Sequence, residues 1–201
     1  PGYCIYMLTV YCVLWGDKYS PDYVYTLRRM VASRLSIEHR FVCVTDQELP
    51  GINTLAPACN YPGWWQKVGL FALATGPSLY LDLDVVVMGD LDSLVPYTEC
   101  DLAMPKNWAR SGHGGYQSSV MAWSGMRADI WEAFDPGLIG DGSPGNYGWY
   151  QDPGAGPLWG DQEFISEVFA DDITDIKLGL VVSYKYHCQA GPPPGSRPRR
   201  R

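Results

Sequence analysis

The chain has 201 residues, 46% of them hydrophobic and 18% charged, with a formal net charge of −7. That suits a single globular domain able to bury its core without disulfide staples. Acids spread along the chain argue against nucleic acid as the main partner, and no run approaches the ~20 apolar residues of a membrane span.

Leu8 to Leu14 is a continuous apolar strand candidate, followed by the loop Trp15 to Tyr19. Ser20-Pro21 then predicts an N-cap with proline at the first helical position. Val24, Leu27, Val31 and Leu35 follow at helical spacing, and Arg40 to Thr45 is a second strand closed by Asp46. This strand–helix–strand opening predicts a right-handed parallel crossover. Ligands of such sheets sit beyond the carboxyl ends of the strands, so residues 14–19 and 45–46 are candidate site loops.

Residues 50–63 read as loop, and Trp64 to Thr75 as helix. Ser78 to Met88 (SLYLDLDVVVM) is an apolar run interrupted by two acids. As an extended strand it would place Asp82 and Asp84 on one face, about 6.6 Å apart at ~3.3 Å per residue. Burying both costs several kcal/mol unless the strand surfaces there or meets a cation. A rigid strand end with two carboxylates suits a divalent metal with oxygen ligands. The structural alternative is capping or solvated surface acids.

Residues 89–94 predict a turn and short helix, 101–104 and 118–123 strands, and 126–134 a helix. His113 sits in the glycine-rich loop Ser111 to Gly115. Residues 135–160 carry eight glycines and four prolines, and a loop of that length is usually functional or disordered. Residues 161–169 predict a short helix and 177–186 a strand. Residues 191–201 form a proline- and arginine-rich tail unable to build a core element.

The six cysteines never approach a CxxC spacing, and Cys12 and Cys43 lie in apolar runs where a thiol packs as a small hydrophobe. A reducing, cytoplasmic setting is the expectation. Pro1-Gly2-Tyr3 has no signal-peptide character and suggests a processed or excised start. Eight Trp and fourteen Tyr suit stacking on bases or sugars, although core packing accounts for most such residues.

The order of these pieces resembles the glycosyltransferases of the GT-A fold, especially the family-8 and glycogenin-like group. Asp82-Leu83-Asp84 matches their Asp-any-Asp motif within a similar Tyr-Leu-Asp-any-Asp string. Trp65 to Phe71 resembles their Lys-bearing helix, Gln117 to Met121 their Asn-Ser-Gly-Val-Met strand, and Gly160-Asp161-Gln162 their Asp-Gln helix start. The matches span roughly residues 8–186 in order. Two departures stand out: Gln117 replaces the favoured Asn, and the late His-Gly segment that supplies a third metal ligand has no counterpart. His187 lies upstream of that place and is not taken as the ligand; His113 is the candidate for it, with an ordinary loop histidine as the plain reading.

The resemblance implies a single GT-A domain over 1–190, a Rossmann-like α/β fold whose mixed, mostly parallel sheet is flanked by helices. It implies a hexosyltransferase-like, retaining enzyme that uses Mn²⁺ or Mg²⁺ and a nucleotide-diphosphate sugar, with UDP favoured. The acceptor, whether sugar, lipid or protein, stays open. Asp82 and Asp84 would bind metal, with Asp82 also reaching the ribose. Leu14 and Tyr19 would meet the nucleoside, Asp17 would accept from the base, and Lys67 would meet a phosphate or the sugar. Asp161 and Gln162 would contact the sugar or acceptor. A loop Tyr, a solvated Lys and a capping Asp are the plain readings of Tyr19, Lys67 and Asp161. Two rivals remain: a nucleotide-sugar-binding relative without turnover, and a haloacid-dehalogenase-like phosphatase with Asp82 as nucleophile.

Overall fold

The computed structural model of the protein describes residues 7–108, 115–135, 137 and 160–191. Seven strands form one sheet: β1 (Leu8–Val13), β2 (His39–Val44), β3 (Asn53–Leu55), β4 (Ser78–Leu81), β5 (Leu102–Pro105), β6 (Val120–Trp123) and β7 (Ile173–Ile176). Their order is β3-β2-β1-β4-β6-β5-β7. All neighbours run parallel except β6, which is antiparallel to both β4 and β5. The opening crossover is therefore the parallel unit expected from the sequence, carried by helix α1 (Pro21–Arg34).

Alternation along β1 divides the core between the two sheet faces. Val10, Cys12 and Leu14 pack with Val24, Leu27 and Val31 of α1, and with Leu91 and Leu94 from the 3-10 helix Leu91–Glu99. Tyr11 points the other way and joins Trp123, Phe71 and Phe164. That second layer is built from the 3-10 segment Gly63–Gly69, α2 (Leu70–Leu73), α3 (Ala128–Ala133) and α4 (Asp161–Val168). Because both faces are covered, the central strands read as continuous apolar runs.

Several expectations change. Strand β4 stops at Leu81, and Asp82 opens a turn closed by the Val85 N–H on the Asp82 carbonyl at 3.1 Å. The acids therefore lie beyond the strand rather than on one face of it, and Val85 to Met88 lie outside any strand. The predicted helix over 64–75 is mostly 3-10, with one α-helical turn at its end. Residues 50–63 contain the edge strand β3, which is too short and too exposed to leave an apolar pattern.

The strand expected over 177–186 is displaced. The ladder is made by β7, whose buried ends Ile173 and Ile176 enclose the exposed Thr174 and Asp175. After it Gly179, at φ +96°, turns the chain, and helix α5 (Tyr184–His187) follows. Ser20 flanks α1 as predicted, but its side chain makes no capping bond; its carbonyl accepts from the Tyr23 N–H at 3.1 Å. The tail beyond Gly191, nearly all of the glycine-rich loop, and His113 lie outside the described residues.

Leu27 is fully buried where α1 meets the sheet. Leu27→Ala is expected to cost about 2–5 kcal/mol through lost contact and a residual cavity. Urea unfolding would show a lower midpoint at an unchanged slope.

Candidate active site

Strands β1 and β4 run parallel, so their carboxyl ends, Val13 and Leu81, reach the same sheet edge. Antiparallel β6 brings its amino end there, and the Asp82 N–H donates to the Ser119 carbonyl at 2.9 Å. Gln117 and Ser118 thus arrive beside the acidic turn from 35 residues downstream in the chain. Helix α4 contributes its first residues, Asp161 and Gln162, and the 3-10 segment contributes Trp64 and Lys67. Together with the β1–α1 loop, where Gly16 turns the chain at φ +63°, these residues line an open cleft of about 490 Å³.

Lys67 lies at its centre. Its Nζ is 3.2 Å from Asp82 Oδ1, 3.2 Å from Asp161 Oδ2 and 3.1 Å from the Ser118 hydroxyl. Asp82 also accepts from the Tyr80 hydroxyl at 2.5 Å, while the Tyr19 hydroxyl donates to Asp84 Oδ2 at 2.9 Å. The Lys67 and Asp161 side chains are 9% and 5% exposed, so water screens their pairing little.

Burial works against the Lys67 ammonium, but Asp161 and Asp82 outweigh it and hold its pKa above the ordinary lysine value. Burial also raises the Asp161 carboxyl, and the shared attraction of Lys67 does not fully offset it. One cation faces two carboxylates here, so the lysine is doubly supported and each acid is only partly compensated. Asp161 Oδ2 shows this directly. It lies within ion-pair distance of Lys67, yet no donor is aligned on it as a hydrogen bond.

No protein-family model matches the chain, and no curated protein matches it in sequence. Among solved structures, the glycosyltransferase GlyE of Streptococcus pneumoniae TIGR4 aligns at a TM-score of 0.55 and 16% identity. The alignment covers 85% of this chain and 45% of GlyE, so the chain spans less than half of that protein. The galactosyltransferase LgtC, solved with donor and acceptor sugar analogues, aligns at 0.51 and 15% identity over 85% of this chain and 73% of LgtC. The chain shares their fold. The GT-A architecture implied by the sequence, a mixed and mostly parallel sheet flanked by helices, is the one observed.

Of the residues singled out in the sequence, Tyr19, Lys67, Asp82, Asp84, Asp161 and Gln162 all line the cleft. Leu14 does not. Its side chain is 1% exposed within the core, while its neighbours Val13 and Trp15 face the opening. Trp15, Tyr80 and Ser118, which fell within the candidate loop and the matched strings without a role of their own, line the same cleft, as does Trp64, which carries no site signal in the sequence. Nothing separates Trp64 from the buried Trp65 beside it except the turn geometry at Gly63.

Lys67→Met would leave two acids without their shared cation, and it is expected to cost about 3–5 kcal/mol. Because folding raises the lysine pKa, its contribution is complete below the unfolded value of about 10.4 and fades at higher pH. Denaturant titrations of both proteins from neutral to alkaline pH should show the stability gap narrowing above that point.

Proposed function

We propose that the protein is a metal-dependent glycosyltransferase that moves a sugar from a nucleotide-diphosphate sugar, with UDP as the favoured nucleotide. The observation that carries this reading is the buried Lys67, held between Asp82 and Asp161 at the carboxyl edge of a sheet that follows glycosyltransferase folds. The cleft has a volume typical of small-molecule sites. The acidic turn follows the fourth strand rather than the first, which speaks against the phosphatase reading.

The donor set fits a hard divalent cation, Mn²⁺ or Mg²⁺. Asp82 and Asp84 present carboxylate oxygens at one turn, and the site carries more negative charge than Lys67 balances. Among the described residues, no three His, Cys, Asp or Glu side chains gather as a complete ligand set. Such cations are commonly held by one or two carboxylates plus substrate phosphates and water. Asp82 and Asp84 would hold the ion, which lowers the cost of charge gathering on the leaving diphosphate.

The protein's own residues supply the rest. Tyr19, packed against Tyr23 with ring centroids 4.9 Å apart, would stack on the base. Lys67 offers a fixed positive charge at the point where the diphosphate oxygen separates from the anomeric carbon. Asp161 and Gln162 face the sugar and the incoming hydroxyl. As the acceptor oxygen bonds to that carbon, the carbon–diphosphate bond breaks and the hydroxyl proton passes to the departing phosphate. This same-face course retains configuration and needs no committed nucleophile, which suits an Asp161 already paired with Lys67. A cytoplasmic setting belongs to the same proposal, since the five described cysteines are all free. No described helix is long and apolar enough to cross a membrane.

Calorimetric titration of UDP, with Mn²⁺ or with EDTA, tests this reading. Binding is expected to require Mn²⁺ and to weaken by about tenfold or more in Asp84→Asn, the scale of one charged contact. Metal-independent binding unaffected by the substitution would favour a relative without turnover. Failure to bind any nucleotide diphosphate would sink the proposal.

A further inference from the structure

Tyr80 is the last residue but one of β4, paired in register with Tyr11 of β1 and Met121 of β6. Its side chain is 2% exposed and packs in the layer that holds Tyr11, Phe71 and Trp123. Phenylalanine would fill such a place without carrying a polar atom into the core. A buried phenol must find a partner for its hydroxyl. Here the partner is no backbone group. Tyr80 reaches the cleft lining and donates to Asp82 Oδ1 at 2.5 Å.

The two oxygens of Asp82 are held unequally. Oδ1 accepts from Tyr80 and lies 3.2 Å from Lys67 Nζ, while among the described residues Oδ2 meets only Lys67, at 3.4 Å. Lys67 alone would leave the carboxylate plane free to turn, because one ammonium is shared between both oxygens. The phenol hydroxyl removes that freedom by taking one of them. Its ring acts separately, with the Lys67 ammonium 5.6 Å from the centroid. The neighbouring acid is held differently. Asp84 Oδ2 accepts from Tyr19, a residue of the β1–α1 loop, whereas the grip on Asp82 comes from a strand paired on both sides.

We infer that Tyr80 is a positioning residue for the proposed transfer: its hydroxyl commits Asp82 Oδ1 to the protein and leaves Oδ2 to the cation. This rests on the metal-dependent reading above. Tyr80 acts through Asp82 rather than on the substrate. A carboxylate whose plane is already fixed gives up little freedom when the ion arrives, so the hydroxyl strengthens metal binding without touching the metal.

The test is Mn²⁺ titration of the full chain with saturating UDP, reading free Mn²⁺ by electron paramagnetic resonance. Tyr80→Phe keeps the ring, and with it the packing and the Lys67 contact, and deletes only the hydroxyl. It is expected to weaken Mn²⁺ binding by about tenfold, the scale of one hydrogen bond to a charged group. In an Asp82→Asn background the same change should matter by less than about twofold, because its charged partner is gone. A role in packing alone would give equal losses in both backgrounds. Equal losses, or Tyr80→Phe binding Mn²⁺ like the wild type, overturn the inference while leaving the transferase reading intact. A wild-type protein that binds no Mn²⁺ with UDP overturns both.

Discussion

A single ammonium group surrounded by carboxylates organises the working end of this molecule. Lys67 comes from the 3-10 segment, Asp82 from the turn after β4, Ser118 from the approach to β6, and Asp161 from the start of α4. Four parts of the chain meet at one cation. Taking Lys67 out of water is unfavourable alone, and so is burying Asp161; each is tolerable because the other is there. The cation thus orders three backbone elements at the carboxyl edge of the sheet.

The end of β4 explains how the acids remain usable. Had the extended strand continued through Val87, Asp82 and Asp84 would have stayed on one face of a covered sheet. The turn at Asp82 brings the chain out of the sheet edge instead, and the exposed backbone there finds its partner in Ser119. Buried Leu83 anchors the turn, while the acids either side of it face the cleft. Tyr80 then holds one oxygen of Asp82, and Tyr19 one of Asp84. A carboxylate positioned by hydrogen bonds loses little freedom when it takes up a ligand.

The cleft is asymmetric as well. Tyr19 comes from the loop between β1 and α1, and Trp64 from the 3-10 segment lying against Gly160 at the start of α4. Changes in one element can alter one side of the cleft without disturbing the other, as is common where loops on a rigid sheet carry function.

Much of the architecture was legible because it follows from local rules. Apolar runs marked β1, β2, β4 and β6, the helical stripe of Val24, Leu27 and Val31 marked α1, and the intervening helix required β1 and β2 to be parallel. The acidic pair declared itself because charge inside an apolar run is costly and needs a reason. What stayed hidden depends on distance through space. Ile173-Thr-Asp-Ile176 exposes its middle two residues, so it lacked the pattern of a strand, and only its pairing with β5 makes it one. The more hydrophobic residues 178–182 found no partner strand among the described residues. Only the family resemblance marked Lys67 as a site residue, and its ion pairs stayed hidden because its two acids lie 15 and 94 residues away in the chain. Trp64 and Trp65 are chemically identical neighbours, and the left-handed turn at Gly63 together with the approach of Gly160 decides which faces the cleft. Sequence alone determined which segments are strands and helices wherever burial is periodic. Tertiary structure decided which polar and aromatic groups meet, because their energies depend on neighbours that local pattern does not contain.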